Sequence, residues 1–116
     1  MKRLLCVLAF SVLGASACAA VPNCAGVNSW PASMAFVHLK NAGMLTSENT
    51  DFDKTQVSLV ASQPEKAGLY IQVHQVKFQK RDGSVVQVIT VNQASNQECS
   101  ESPVEVFVVS ERLGGE

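Results

Sequence analysis

A chain of 116 residues is long enough for one small domain and no more. It carries nine basic and ten acidic residues, so it has no excess of positive charge with which to counter phosphate groups. Nucleic acid is therefore not an expected partner, and the same charge balance disfavours electrostatic binding to an anionic membrane surface.

The first twenty residues have the layout of a secretory signal peptide. Lys2 and Arg3 form a positive start, residues 4–13 form an uncharged and mostly apolar run, and small residues follow. The apolar run is too short for an ordinary transmembrane helix, and no later segment is apolar enough to span a membrane. We expect residues 1–20 to be removed and residues 21–116 to form a single small domain.

The cleavage site has more than one reading. Cleavage after Ala19 or after Ala20 fits the preference for small residues, and a lipid on Cys18 is the alternative. Ala15 stands where a bacterial lipobox normally has leucine, which favours simple cleavage. Loss of Lys2 and Arg3 leaves seven basic and ten acidic residues, a net charge of −3 with neutral histidines.

The number of cysteines predicts a disulfide bond. Cys6 leaves with the signal peptide, and Cys18 is removed or carries a lipid, so Cys24 and Cys99 remain. Cleavage before Cys18 would leave three thiols, whereas an even number suits an oxidising compartment. We therefore expect a Cys24–Cys99 disulfide in a protein of the Gram-negative periplasm.

The mature sequence begins with a predicted helix over 29–43. Ser29 suits the N-cap, Pro31 the first turn and Gly43 the position after the last turn. A polar loop is predicted over 46–55, followed by strands over 56–62, 69–80, 84–92 and 103–110. The apolar phase of the second strand slips near His74 and Gln75, which predicts a β-bulge there.

These elements predict an α+β fold, in which one N-terminal helix packs on a four-stranded antiparallel meander sheet and one disulfide ties them together. The Asp82-Gly83 pair marks the hairpin between the second and third strands. The third strand carries apolar residues on both of its faces, which suggests that a partner chain covers the face opposite the helix.

Catalytic and metal-binding patterns are weak. Cys99 as a nucleophile would need His38 or His74 as a base, and the neighbouring Glu98 and Glu101 would raise the pKa of its thiol. The cysteines and histidines lack the paired spacings of a zinc site. We therefore predict that the protein is not an enzyme and that it binds neither a metal ion nor a cofactor.

The polar, acidic loop over 93–102 is the best candidate for binding. A crosslinked loop keeps its shape in the free protein and loses less entropy on binding, although it could also be only a stapled connection. We predict an exported inhibitor or immunity-type module that neutralises another protein; the alternative is an accessory envelope protein, homodimeric through the uncovered sheet face. The predicted contact residues are Glu98, Ser100, Glu101 and Ser102 in the loop, with Lys80 and Arg81 as a second site.

Overall fold

The computed structural model describes residues 20–109. One helix, α1 (Trp30–Asn41), precedes four strands: β1 (Thr50–Pro64), β2 (Tyr70–Lys80), β3 (Val85–Ala94) and β4 (Glu105–Val109). The strands form one antiparallel sheet in the order β1-β2-β3-β4, which confirms the predicted α+β meander. The predicted signal peptide, its cleavage site and Cys18 lie outside the described residues, apart from Ala20.

The residues that flank helix α1 explain where it begins and ends. Ser29 occupies the N-cap position, although its hydroxyl makes no capping hydrogen bond, and Pro31 occupies the first turn. Gly43, just beyond the C-cap Ala42, has a φ of +76°, a backbone conformation that glycine adopts without steric cost. The helix contacts β2 and β3, so it covers one face of the sheet as predicted.

The core lies between α1 and the sheet. Two alanines of the helix, Ala32 and Ala35, are almost completely buried, and their small side chains let the helix approach the strands closely. Larger side chains fill the remaining space. The buried core consists of Ala32, Ala35, Leu39, Leu45, Val76, Phe78 and Val88.

Strand β1 differs from its prediction. It begins at Thr50, so residues 50–55 of the predicted loop belong to a strand. Thr50 pairs with Lys80, and the register shifts between Asp51 and Gln56. The sequence suggested a loop here because the residues are polar; they are polar because the strand lies at an edge of the sheet, where most of its side chains face solvent.

The bulge predicted in β2 lies in the neighbouring strand β1 instead. Strand β2 pairs with β3 without interruption, whereas β1 shifts by one residue at Val60, opposite His74 and Val73. The apolar phase of β2 changes because Gln72 and His74 are buried on the helix-covered side, in phase with Val76. Two buried polar residues therefore imitated the pattern of a bulge.

The opposite face of the sheet, called here the open face, is not covered by α1. Strand pairing places alternate residues of each strand on it, and Phe107 and Val109 are about half exposed. Its large aliphatic and aromatic members are Ile71, Val73, Val85, Ile89, Val91, Phe107 and Val109.

Candidate functional site

The loop between β3 and β4, residues 95–104 and called here the stapled loop, is fixed covalently. Cys99 in this loop forms a disulfide with Cys24, which precedes α1, and the two Cα atoms lie 5.7 Å apart. The predicted crosslink is therefore present. It joins the segment before the helix to the connection between the last two strands, and both cysteines are consumed by the bond.

Two buried amide side chains reinforce this attachment. The Nε2 group of Gln72 donates a hydrogen bond to the carbonyl oxygen of Pro22, at 2.9 Å. On the neighbouring strand, the Nδ2 group of Asn92 donates to the carbonyl oxygen of Cys99, at 2.7 Å. The first bond holds the N-terminal segment on the sheet and the second holds the stapled loop, so the disulfide joins two segments that are each already anchored.

The stapled loop is also ordered from within. The Ser95 hydroxyl donates to Glu101 Oε2 at 2.6 Å, and the Ser95 amide donates to the carbonyl oxygen of Glu98 at 2.8 Å. Ser102 Oγ accepts a hydrogen bond from the backbone N–H of Gln93 at 2.8 Å. Glu101 and Ser102, which the sequence suggested as contact residues, are thus half-buried residues that shape the loop.

Two other predicted contact residues are exposed to solvent. Glu98 and Ser100 are exposed, and the Ser100 hydroxyl lies 3.4 Å from Glu98 Oε2. The backbone around them is held by Cys99, which lies between them in the sequence. The exposed part of this site is therefore a carboxylate and a hydroxyl on a constrained turn.

The second predicted contact site lies at the other end of the molecule. Lys80 and Arg81 are at the hairpin between β2 and β3, whereas the stapled loop follows the far end of β3. A strand of ten residues separates them, about 33 Å at 3.3 Å per residue. Arg81 also donates through Nε to the carbonyl oxygen of Glu48, at 2.7 Å. These residues therefore do not form one site with the loop.

A groove borders the stapled loop on one side. The turn between β1 and β2 and the loop residues Ser95, Asn96 and Gln97 line it together. Ala67 in this turn has a φ of +60°, a left-handed conformation that costs an alanine about 1–2 kcal/mol. Strained backbone of this kind is concentrated at functional sites, which draws attention to this end of the sheet.

A row of polar side chains is buried on the helix-covered face of the sheet. The sequence did not predict this row. Gln72 and Asn92 pair across β2 and β3, as do His74 and Thr90, and all four are at most 4% exposed. Neither ring nitrogen of His74 has a hydrogen-bond partner among the described residues. Burial lowers the pKa of His74 from its ordinary value of 6.5, because the charged form would lose its hydration.

His74 should make the domain less stable in mild acid. Because the pKa of His74 is lowered in the folded protein, the unfolded chain binds this proton more readily as the pH falls through about 6.5, so stability is complete well above that pH and falls below it. One proton gives a slope of at most about 1.4 kcal/mol per pH unit. Urea denaturation of wild type and H74Q between pH 5 and 7 measures how the free energy of unfolding depends on pH. The pH dependence that both proteins share is due to other groups, and the difference between them is due to His74.

The second histidine provides the matched control. His38 is exposed on α1, and the chain has only these two histidines. H38Q should keep the pH dependence of the wild type, whereas H74Q should lose that part of it. Equal slopes in wild type and H74Q would show that burial of His74 has no influence on acid stability.

Within residues 20–109, no group of three histidine, cysteine or acidic side chains is placed to hold a metal ion. In the same part of the chain, no helix is both long and apolar enough to cross a membrane.

Comparison with protein families, with curated proteins and with solved structures found no match to this chain.

Proposed function

We propose that this chain is an exported protein-binding module of the inhibitor or immunity type, which uses the stapled loop to bind and neutralise another protein without catalysis. The observation that carries the proposal is the construction of the loop. An exposed carboxylate, Glu98, sits beside a residue that is covalently tied to the N-terminal segment and hydrogen-bonded to a buried asparagine.

This construction favours binding because it reduces the entropy lost on association. A free loop must be ordered when it meets a partner, at about 0.5–1.5 kcal/mol for each immobilised side chain, in addition to the cost of ordering the backbone. The disulfide and the hydrogen bonds of Ser95, Glu101 and Ser102 order the stapled loop beforehand. Such a loop suits insertion into the cleft of an enzyme or a toxin.

The charge of the site indicates the chemistry of the partner. Glu98 is exposed at the turn and Glu101 lies in the same loop, and the mature chain is acidic overall. We infer that the partner presents basic side chains to this loop, since complementary charges steer encounter and select partners. A cell-wall hydrolase or a secreted toxin with a basic cleft fits this description.

The disulfide and the predicted signal peptide support a proposal for the compartment. A bond between Cys24 and Cys99 persists in an oxidising environment and is rare in the cytosol. We propose the periplasm of a Gram-negative bacterium, with lipid attachment at Cys18 as the less favoured alternative.

Reversal of one exposed charge tests the proposal. A pull-down from periplasmic extract identifies the partner, and calorimetric titration of that purified protein compares wild type with E98K. We expect E98K to weaken binding at least about tenfold, because a charge-assisted contact becomes a repulsion. Glu98 is preferred to Glu101 for this test, since the latter accepts a hydrogen bond within the loop.

A matched charge reversal controls for the change in net charge. Glu48 is exposed near the hairpin end, far from the stapled loop, and its side chain makes no hydrogen bond among the described contacts. E48K should bind the partner as the wild type does. An unchanged affinity of E98K, or the absence of any stoichiometric partner, would count against the loop as the binding surface.

An accessory envelope protein that acts as a homodimer is the second candidate. The observation that favours it is the open face, which exposes apolar residues in a domain of this size.

A further inference from the structure

The open face is unusual for a small monomeric domain. Three of its strands contribute apolar side chains to one band, and Val85, Phe107 and Val109 are 53%, 53% and 44% exposed. Contiguous apolar patches of this kind mark interaction surfaces. The band does not include the stapled loop, so its role is separate from the partner binding described above.

Two charged residues of this face, Lys77 and Glu105, lie on either side of its central row, and Asp51 on β1, opposite Gln79, adds a charge near the hairpin end. Gln75, Ile89 and Phe107 form one cross-strand row, because each pairs with the next. Lys77 on β2 lies one row towards the hairpin, and Glu105 on β4 lies one row towards the stapled loop. At about 4.8 Å between strands and 3.4 Å per residue, each charge lies about 8 Å from Ile89, on opposite sides.

We propose that a second copy of this chain docks on the open face, with the two-fold axis passing through Ile89. This axis runs parallel to the two sheets and midway between them, and it is perpendicular to the line from Lys77 to Glu105. Rotation by 180° about it therefore exchanges the positions of these two residues. Lys77 of one copy then meets the partner's Glu105, and Glu105 meets the partner's Lys77. Such self-complementarity is what a two-fold dimer requires of a single surface.

Two apolar residues, Ile89 and Phe107, fall in the middle of this arrangement, with the polar Gln75 in the same row. Ile89 lies on the axis against its own counterpart, and Phe107, beside it in the same row, packs near the centre of the contact. The two ion pairs lie on either side of this apolar centre. Apolar contacts at the centre with charges at the rim are the usual organisation of protein interfaces.

The size of the face sets the expected strength. Three long strands and the short β4 give roughly 670 Å² per copy at about 3.4 Å per residue and 4.8 Å between strands, and therefore up to about 1,300 Å² per dimer. This is close to the lower limit of about 1,000 Å² for specific interfaces. We therefore expect a reversible dimer with a dissociation constant in the micromolar range, which forms when the protein is concentrated.

Charge exchange tests both the surface and the axis. Sedimentation equilibrium of the exported, disulfide-bonded protein should show a monomer–dimer equilibrium for wild type. K77E and E105K should each weaken dimerisation about tenfold, because symmetry applies each reversal at two contacts. The double variant K77E/E105K restores opposite charges and should return to nearly the wild-type constant.

Two further variants complete the test. F107D should remove the dimer by placing a charge in the apolar centre, and K66E changes net charge as K77E does, but in the turn between β1 and β2. K66E should dimerise as the wild type does. Thermal melting of each variant confirms folding. A wild type that is monomeric throughout the micromolar range, or a dimer that survives F107D or is not restored in the double variant, overturns the proposal.

This inference does not rest on the partner-binding role of the stapled loop. The two tests use different residues and different measurements, so failure of one leaves the other standing.

Discussion

Replacement of both Cys24 and Cys99 by alanine is expected to lower the free energy of unfolding by about 4 kcal/mol. The crosslink joins residues 75 positions apart, and closing so long a loop lowers the conformational entropy of the unfolded chain by an amount worth about 4 kcal/mol. Small domains have about 5–15 kcal/mol of stability in total, so this loss is a large fraction. Urea denaturation of wild type and C24A/C99A under oxidising conditions measures it.

Reduction of the wild type provides the control for this double variant. Wild type with a strong reductant lacks the same covalent bond, so it should lose nearly the same free energy as the alanine variant. A variant that is unfolded without urea also agrees with a loss of this size. A difference below about 1 kcal/mol between oxidised wild type and C24A/C99A would mean that the crosslink adds little to a fold that is held together by its core.

Truncation of Leu39 to alanine should be the most damaging single change in the helix. Leu39 is 1% exposed and belongs to the core cluster with Val76 and Val88 of the sheet. Removing the Cγ atom and both Cδ atoms loses their transfer free energy and leaves a cavity, at a cost of about 3 kcal/mol. The change should appear as a lower urea midpoint with an unchanged denaturant slope.

The same helix offers a matched truncation. Val37 is 41% exposed, so V37A should alter the unfolding free energy by no more than about 0.5 kcal/mol. The contrast between the two variants tests which face of α1 meets the sheet. If V37A were as destabilising as L39A, the helix would have to lie on the sheet in a different rotation.

The sequence was sufficient for the architecture because its signals are local. Ser29, Pro31 and Gly43 mark the helix, and the Asp82-Gly83 pair marks the hairpin. The disulfide followed from the number of cysteines. These features depend on near neighbours in the chain or on a count, and the structure confirms them.

Other features depend on tertiary contacts that no local pattern reveals. The slip in the apolar phase of the second strand was assigned to a bulge near His74 and Gln75, because polar residues normally mark the exposed side of a strand. Gln72 and His74 are instead buried on the helix-covered side of the sheet, and Gln72 donates a hydrogen bond to Pro22 across 50 residues of sequence.

The candidate site divides in the same way. The sequence located the stapled loop, since Cys99 lies among polar residues. It did not separate Glu98 and Ser100, which are exposed, from Glu101 and Ser102, which order the loop through hydrogen bonds. That distinction depends on how the loop folds back on β3.

Mass spectrometry of the protein isolated from the producing bacterium tests the central claim most directly. Peptides released without reduction should include one pair joined through Cys24 and Cys99, and the first residue should be Ala20 or Val21. An intact Met1, or reduced sulfur atoms on both cysteines, would contradict export into an oxidising compartment and remove the basis for a binding loop held by a disulfide.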